Sequence, residues 1–241
     1  MKKMLLTLLL VLSVTSMAFA VPFGNFAPVI GGSDDGGPTL QQVLDTTFTV
    51  GAQTNPINVA TDQTGVGVWT NTDNAATAFE VTYLGLTDPG TSFGIYDDNN
   101  ALTFTFDDAR PFNSFLINDS GTLFVNTVDQ GAGWSGSFGF FLDAGTSWGT
   151  FYTEDDMHTD GNHAATFLIP DGTADNLANS PTSTGDNDWI IAFNVNTNPS
   201  SYVDYQDAVL MVKDMAPVPE PATLLLLGSG LVGLAFLRRR K

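Results

Sequence analysis

The 241-residue chain contains no cysteine. Disulfide staples, thiolate nucleophiles and cysteine-ligated metals are therefore excluded together. Basic residues are scarce: 8 Lys+Arg stand against 26 Asp+Glu. Lys2, Lys3, Arg238, Arg239, Arg240 and Lys241 lie at the two ends, which leaves Arg110 and Lys213 for the body between them. With Glu220 assigned to the carboxyl-terminal segment, that body has 2 bases and 25 acids, and 2 − 25 is a formal charge near −23. Such a body cannot neutralise a row of phosphates, so nucleic acid is excluded as a partner. Adsorption of the body to an anionic membrane surface is disfavoured for the same reason. Glutamate is scarce too, and Glu80 and Glu154 are the only glutamates of the body. Long segments with a 3.6-residue apolar period are absent, and there is no internal repeat.

What is present begins with an address. Met1 to Ala20 reads MKKMLLTLLLVLSVTSMAFA. Lys2 and Lys3 give a basic start, an apolar run follows, and Ala18-Phe19-Ala20 is a small-x-small cleavage pattern. This order predicts a secretory signal peptide over residues 1–20, read by the secretion translocon and cut after Ala20. Residues 21–38 are rich in Gly, Pro and Asp and read as a flexible lead-in.

Residues 39–215 read as one all-β domain. TLQQVLD (Thr39–Asp45) predicts one short helix. After it come short alternating or apolar runs bounded by Gly, Asp, Asn or Pro. They are ATAFEVTYLGL from Ala76, ALTFTF from Ala101, FNSFLI from Phe112, GTLFVNTV from Gly121 and SGSFGFFL from Ser135. WGTFYT from Trp148, HAATFLI from His163, DWIIAFNV from Asp188 and DAVLMVKDM from Asp207 continue the pattern. Regular short strands with turn signals between them predict an antiparallel β-sandwich, jelly-roll-like in organisation. Trp69, Trp134, Trp148 and Trp189 each fall at or near a strand edge, where packing is the ordinary role and sugar stacking the functional alternative.

Aspartate is a turn former and also a compact ligand for hard cations. Asp186-Asn187-Asp188 precedes WIIAFNV, and Asp204-Tyr205-Gln206-Asp207 opens AVLMVKDM. If the two strands are neighbours, Asp186, Asp188, Asp204 and Asp207 form a candidate calcium site, completed by carbonyls and waters. The spacing is not that of an EF-hand. The competing reading is that these aspartates cap turns by accepting backbone N–H bonds. TEDDMHTDGNH (Thr153–His163) holds both histidines, His158 and His163, five apart amid carboxylates, which offers a transition metal as one reading; the spacing matches no zinc-enzyme signature, and the stretch reads as a solvated acidic loop. No catalytic residue is assigned. Glu80 with Glu154, or a pair of aspartates, would be the carboxylate couple of an extracellular carbohydrate-active enzyme, the alternative to a non-catalytic module.

The chain ends VPEPATLLLLGSGLVGLAFLRRRK, from Val218. The uncharged run over 222–237 spans roughly 24 Å as a helix, close to the ~30 Å of a bilayer core. Arg238, Arg239, Arg240 and Lys241 form a basic stop that stays on the cytoplasmic side and leaves the body outside. Pro219 and Pro221 hold Val218 and Glu220 extended, in a form a protease can grip. A single-pass anchor accounts for the run and the bases but not for the Pro-Glu-Pro that precedes them.

Val218-Pro219-Glu220-Pro221, an apolar helix and a basic cluster together closely resemble the PEP-CTERM sorting signal of Gram-negative bacteria, here over 216–241. The resemblance implies recognition by an exosortase, a membrane-embedded cysteine protease, with Pro219, Glu220 and Pro221 as recognition residues. It also implies removal of the tail and export across the inner membrane, with transient membrane anchoring. The destination it implies is the cell surface or matrix of bacteria that make exopolysaccharide.

More loosely, SFGIYDD (Ser92–Asp98), DWIIAFNV and VDYQDAVLMVKDM resemble an exported β domain often found before such tails. Asp204-Tyr205-Gln206-Asp207-Ala208-Val209 matches that domain's D-Y-x-D-L-V pattern, while Asn194-Val195 stands where its W-x-x-A-F-E-D strand has E-D. This resemblance implies no reaction. The expectation is thus an exported acidic surface or matrix protein whose body is a binding or structural module. Calcium is its candidate cofactor and an extracellular polysaccharide its candidate partner.

Overall fold

Alternating side chains on extended backbone give this chain its strands, and the computed structural model pairs them into two antiparallel sheets. It describes residues 37–71, 78–86, 92–104, 112–154, 157, 163–177, 185, 187–195, 205 and 207–218. The predicted signal peptide with Ala18 and Ala20, the lead-in up to residue 36, and residues 219–241 lie outside the described residues.

The strands run in chain order as β1 (Trp69–Asn71), β2 (Phe79–Leu86), β3 (Ser92–Tyr96), β4 (Ala101–Phe104), β5 (Phe112–Ile117), β6 (Thr122–Val125) and β7 (Val128–Ala132). They continue as β8 (Ser137–Asp143), β9 (Thr150–Tyr152), β10 (Ala164–Ile169), β11 (Asp188–Phe193), β12 (Ala208–Lys213) and β13 (Met215–Pro217). One sheet has the order β10-β11-β12-β2-β5-β6-β7. The other has the order β13-β1-β8-β3-β4, with β9 paired to β8. The all-β sandwich read from the alternation is the architecture observed.

The main core lies between the sheets. Phe79, Val81, Phe115, Ile191, Leu210 and Val212 of the first meet Trp69, Ile95, Phe138, Phe140 and Leu142 of the second. A second core lies on the other face of the seven-stranded sheet. There the helix α1 (Leu40–Phe48) buries Leu40, Leu44 and Phe48 against Ala165, Phe167, Ile190, Val209 and Met211. The centre of the larger sheet is therefore covered twice. That is why every residue of β11 and β12 is buried and why their sequences are apolar without alternation.

The helix starts where its cap dictates. The Gln42 N–H donates to Thr39 Oγ1 at 3.2 Å, and the Thr39 N–H donates to Gln42 Oε1 at 2.9 Å. This reciprocal pair satisfies two of the amide donors that a helix start leaves unpaired. Leu40, Leu44 and Phe48 then recur at helical spacing and carry the element past Asp45, the last residue of TLQQVLD.

Two glycines in apparent strands have a packing reason. Gly94 faces Phe141 and Gly139 faces Tyr96 across the β3–β8 ladder. A Cβ on Gly94 would lie 1.8 Å from the Phe141 ring, and one on Gly139 would lie 2.5 Å from the Tyr96 ring. Each ring lies over the bare backbone of the neighbouring strand, on the face turned away from the main core.

GTLFVNTV, read as one strand, is instead a hairpin. Asn126 (φ 51) and Thr127 (φ 70) form a two-residue turn between β6 and β7, both in the left-handed region. Asparagine suits that region, whereas a β-branched residue does not. Asn126 is also held by its side chain, which accepts the Ser114 N–H at 3.0 Å and donates to Asn113 Oδ1 at 2.8 Å. Thr127→Gly is therefore expected to stabilise the protein by about 1 kcal/mol by removing the strain. Thermal melting of the two proteins side by side checks this, and an unchanged or lower midpoint would contradict it.

Candidate functional site at the carboxyl-terminal corner

The body hands over to the tail at a corner. β12 belongs to the seven-stranded sheet and β13 to the six-stranded one. The chain crosses between them at a single residue, Asp214, whose φ of 62 makes the bend. The body ends at Pro217.

The start of β11 grips this corner. One oxygen of the Asp188 carboxylate accepts the Asp214 N–H at 3.1 Å, and the other accepts the Gly185 N–H at 2.9 Å. The Met215 N–H donates to the Asn187 carbonyl at 3.1 Å. The Met215 carbonyl in turn accepts the Trp189 indole N–H at 2.8 Å. Three consecutive residues, Asn187, Asp188 and Trp189, thus satisfy the backbone of Asp214 and Met215. Asn187 itself has a left-handed φ of 65, which asparagine tolerates. The Trp189 ring packs edge-on against Trp69 of β1, with centroids 6.1 Å apart. β1 pairs in turn with β13, Thr70 opposite Ala216 and Trp69 opposite Pro217.

Charge is buried beside the corner. Lys213, one of the body's two bases, places Nζ 3.4 Å from Asp175 Oδ2, with side-chain exposures of 7% and 1%. Burial pushes the Asp188 carboxyl up to about 6, against the N–H bonds from Asp214 and Gly185 and the nearby Lys213 charge, which pull it down. The folded value lies above the ordinary value of 3.8. The folded chain therefore holds this proton to higher pH than the unfolded chain does, so the group's contribution to stability falls as pH rises from about 4 to about 6. Asp188→Asn abolishes that dependence. Wild-type stability minus variant stability is expected to decline through this window and to level off above it. Paired urea titrations from pH 4 to pH 8 measure it, and a flat difference would contradict the assignment.

Of the candidate calcium ligands, Asp188 and Asp207 are described, and they do not come together. Asp186 and Asp204 lie outside the described residues. Asp188 and Asp207 sit at the starts of β11 and β12, and these strands are neighbours, but antiparallel ones, with Phe193 opposite Ala208 and Trp189 opposite Val212. The two residues are therefore at opposite ends of the ladder, six residues and about 20 Å apart at ~3.3 Å per residue. One ion cannot take both carboxylates. Asp188 serves the corner, and Asp207 Oδ2 accepts the Val195 N–H at 2.7 Å. Both play the turn-capping role that was the competing reading. Among the described residues no three His, Asp or Glu side chains are grouped to hold a metal.

Other residues singled out by the sequence are also placed. His163 is buried rather than solvated; its Nδ1 lies 3.0 Å from the Asn194 carbonyl and its ring 4.7 Å from that of Phe151. His158 lies outside the described residues. Glu80 is on β2, on the face opposite to Phe79 and Val81, and accepts the Thr82 hydroxyl at 3.3 Å. Glu154 follows β9 of the other sheet and accepts the Tyr96 hydroxyl at 2.7 Å. The main core separates them, so they are not a carboxylate couple. Trp69, Trp134 and Trp189 are buried, whereas Trp148 is 51% exposed.

Sequence reasoning did not find the corner. Its signal was present in part, since DND followed by Trp before an apolar run combines a capping carboxylate with an indole donor. Their shared target, Asp214-Met215, is visible only once β11 and β12 are paired.

Immediately beyond the corner, residues 217–241 match the PEP-CTERM protein-sorting motif. The chain is thus an exported protein sorted by an exosortase to the surface or the extracellular space. No curated protein and no solved structure matches it significantly.

Proposed function

We propose that the body is a non-catalytic acidic module of the cell surface or extracellular matrix, delivered there with its sorting tail removed, and that its partner is an extracellular polysaccharide. The observation that carries this reading is the sorting signal that begins where the last strand of a two-sheet body ends. The use of the carboxylates supports the non-catalytic part. Asp188 and Asp207 accept backbone N–H groups, as does Asp97, which takes those of Asn99 at 2.8 Å and Asn100 at 2.7 Å. The exposed Trp148, on the β8–β9 turn between Gly145 and Gly149, supports the glycan part, because an exposed indole offers a face on which a sugar ring stacks. With a body charge near −23 from 2 bases and 25 acids, a neutral polysaccharide is the compatible class.

Intact mass from cells and from medium tests the delivery. A form starting near Val21 and ending near Val218–Pro221 is expected, and a chain retaining Arg238–Lys241 would overturn it. A panel of neutral and anionic polysaccharides, run with calcium and with chelator, tests the module. Saturable binding to a neutral glycan, lost in Trp148→Ala, is expected. Cleavage products that vanish when one carboxylate is replaced would favour the enzyme instead.

A further inference from the structure

The sorting signal and the last strand share one short stretch of chain. Pro217 is still in register with Trp69 of β1, and it is also the first residue of the sorting motif. Val218 alone separates this final ladder pair from Pro219-Glu220-Pro221. Proteins that take up a segment of another chain commonly do so with that segment extended and its backbone unpaired. An enzyme that takes up the body side of Glu220 as extended strand reaches β13 within two residues, since only Val218 and Pro219 lie between Pro217 and Glu220 in sequence. Met215, Ala216 and Pro217 are all paired with β1, and Met215 is also fully buried.

We propose that β13 must leave the sheet before the signal is processed, and that Asn187, Asp188 and Trp189 are positioning residues which set how readily it does so. The proposal rests on Val218–Pro221 being the processed segment. β13 is suited to such release. It is three residues long, it pairs on one side with β1, and its last residue is a proline with no N–H to donate. The hydrogen bonds that hold its first end come from outside its own sheet, from the start of β11: Asn187 to the Met215 N–H, Trp189 to the Met215 carbonyl, and Asp188 to the bend at Asp214. Once these open, β13 is held by its three register pairs with β1, Met215 with Asn71, Ala216 with Thr70 and Pro217 with Trp69. Export and folding of the body can thus be complete while the junction stays only weakly committed to the fold.

The experiment follows processing of the full chain by pulse-chase in the exosortase-bearing host. Four chains are compared: native, native with eight Gly/Ser residues inserted between Pro217 and Val218, Trp189→Phe, and Trp189→Phe with the insert. Phenylalanine keeps an aromatic body against Trp69 and removes the donor to Met215. The insert is expected to speed processing several-fold. Trp189→Phe is expected to speed the native-length chain roughly three- to tenfold, the worth of one hydrogen bond, and to leave the inserted chain unchanged. A merely structural role for Trp189 would alter both lengths equally, and that result would overturn the proposal, as would an insert with no effect. A Glu220→Ala chain separates the two levels. If it is processed like the native chain, the reading of the signal itself fails, whereas an inert insert alongside an unprocessed Glu220→Ala chain rejects the positioning role alone.

Discussion

Replacing Lys213 by methionine is expected to destabilise the body by about 3–5 kcal/mol, the cost of leaving a buried carboxylate without its cation. Methionine matches the reach of lysine and fills the same volume, so packing is nearly kept while the charge and its hydrogen bonding are lost. Asp175, with 1% of its side chain exposed, would then hold a negative charge with its 3.4 Å partner gone. Asp188 would lose a second favourable field, because the Lys213 charge is one of the influences that pull its carboxyl down against burial. Its carboxyl is therefore expected to move further up in the variant, which widens the pH range over which raising pH weakens the fold. Asp175→Asn in the Lys213→Met background removes the orphaned charge and is expected to restore most of the loss, since exchanging both members of a buried pair is often nearly neutral. Urea titration of the wild type, Lys213→Met, Asp175→Asn and the double variant gives the coupling directly. A single-variant loss below about 1 kcal/mol would mean that water reaches the pair as it does on an open surface.

This ion pair also marks a limit of what the sequence shows. In DAVLMVKDM, lysine follows an apolar run and looks like the solvated end of a strand. It is buried because the seven-stranded sheet carries a second layer, from α1 and the segments beside it, on the face away from the sandwich core. That layer was not visible in the alternation. The strands themselves were, wherever apolar and polar residues alternate or an apolar run has clear turn residues at both ends. FNSFLI coincides with β5, and HAATFLI and DWIIAFNV hold β10 and β11. β1 and β13, three residues each, were missed because a strand that short is extended by its partner rather than by its own residues, and β3 (Ser92–Tyr96) was missed too, its run interrupted by Gly94. The two described candidate calcium ligands are separated by strand direction although their strands are adjacent. Antiparallel neighbours put their starts at opposite ends, so Asp188 and Asp207 part company because their strands pair. The sorting signal was fully legible because its recognition depends on local order along the chain, with no partner strand to wait for.

Phe79→Ala is expected to be about as damaging, at roughly 4 kcal/mol, because Phe79 joins the two sheets. Its ring is fully buried. It stacks on Phe115, its cross-strand partner on β5, with centroids 5.3 Å apart and planes 11° apart. On its other side it stacks on Phe138 of the opposite sheet at 4.8 Å, again at 11°. Phe140 meets it edge-on at 6.5 Å. Truncation removes apolar burial, opens a cavity that strands fixed by ladders on both sides cannot close, and discards ring pairs worth ~0.5–1.5 kcal/mol each beyond their area. Phe79→Leu fills most of the space and forfeits chiefly the ring geometry, so about 1–2 kcal/mol is expected. The two variants together separate volume from aromaticity. If leucine costs as much as alanine, the stacked geometry dominates; if leucine is neutral, filling the gap is all that matters. With no cysteine to staple the sheets, the aromatic contact between them has no covalent substitute. The shift should therefore appear as one cooperative loss of both sheets in denaturant, read by tryptophan fluorescence from the buried Trp69 and Trp189.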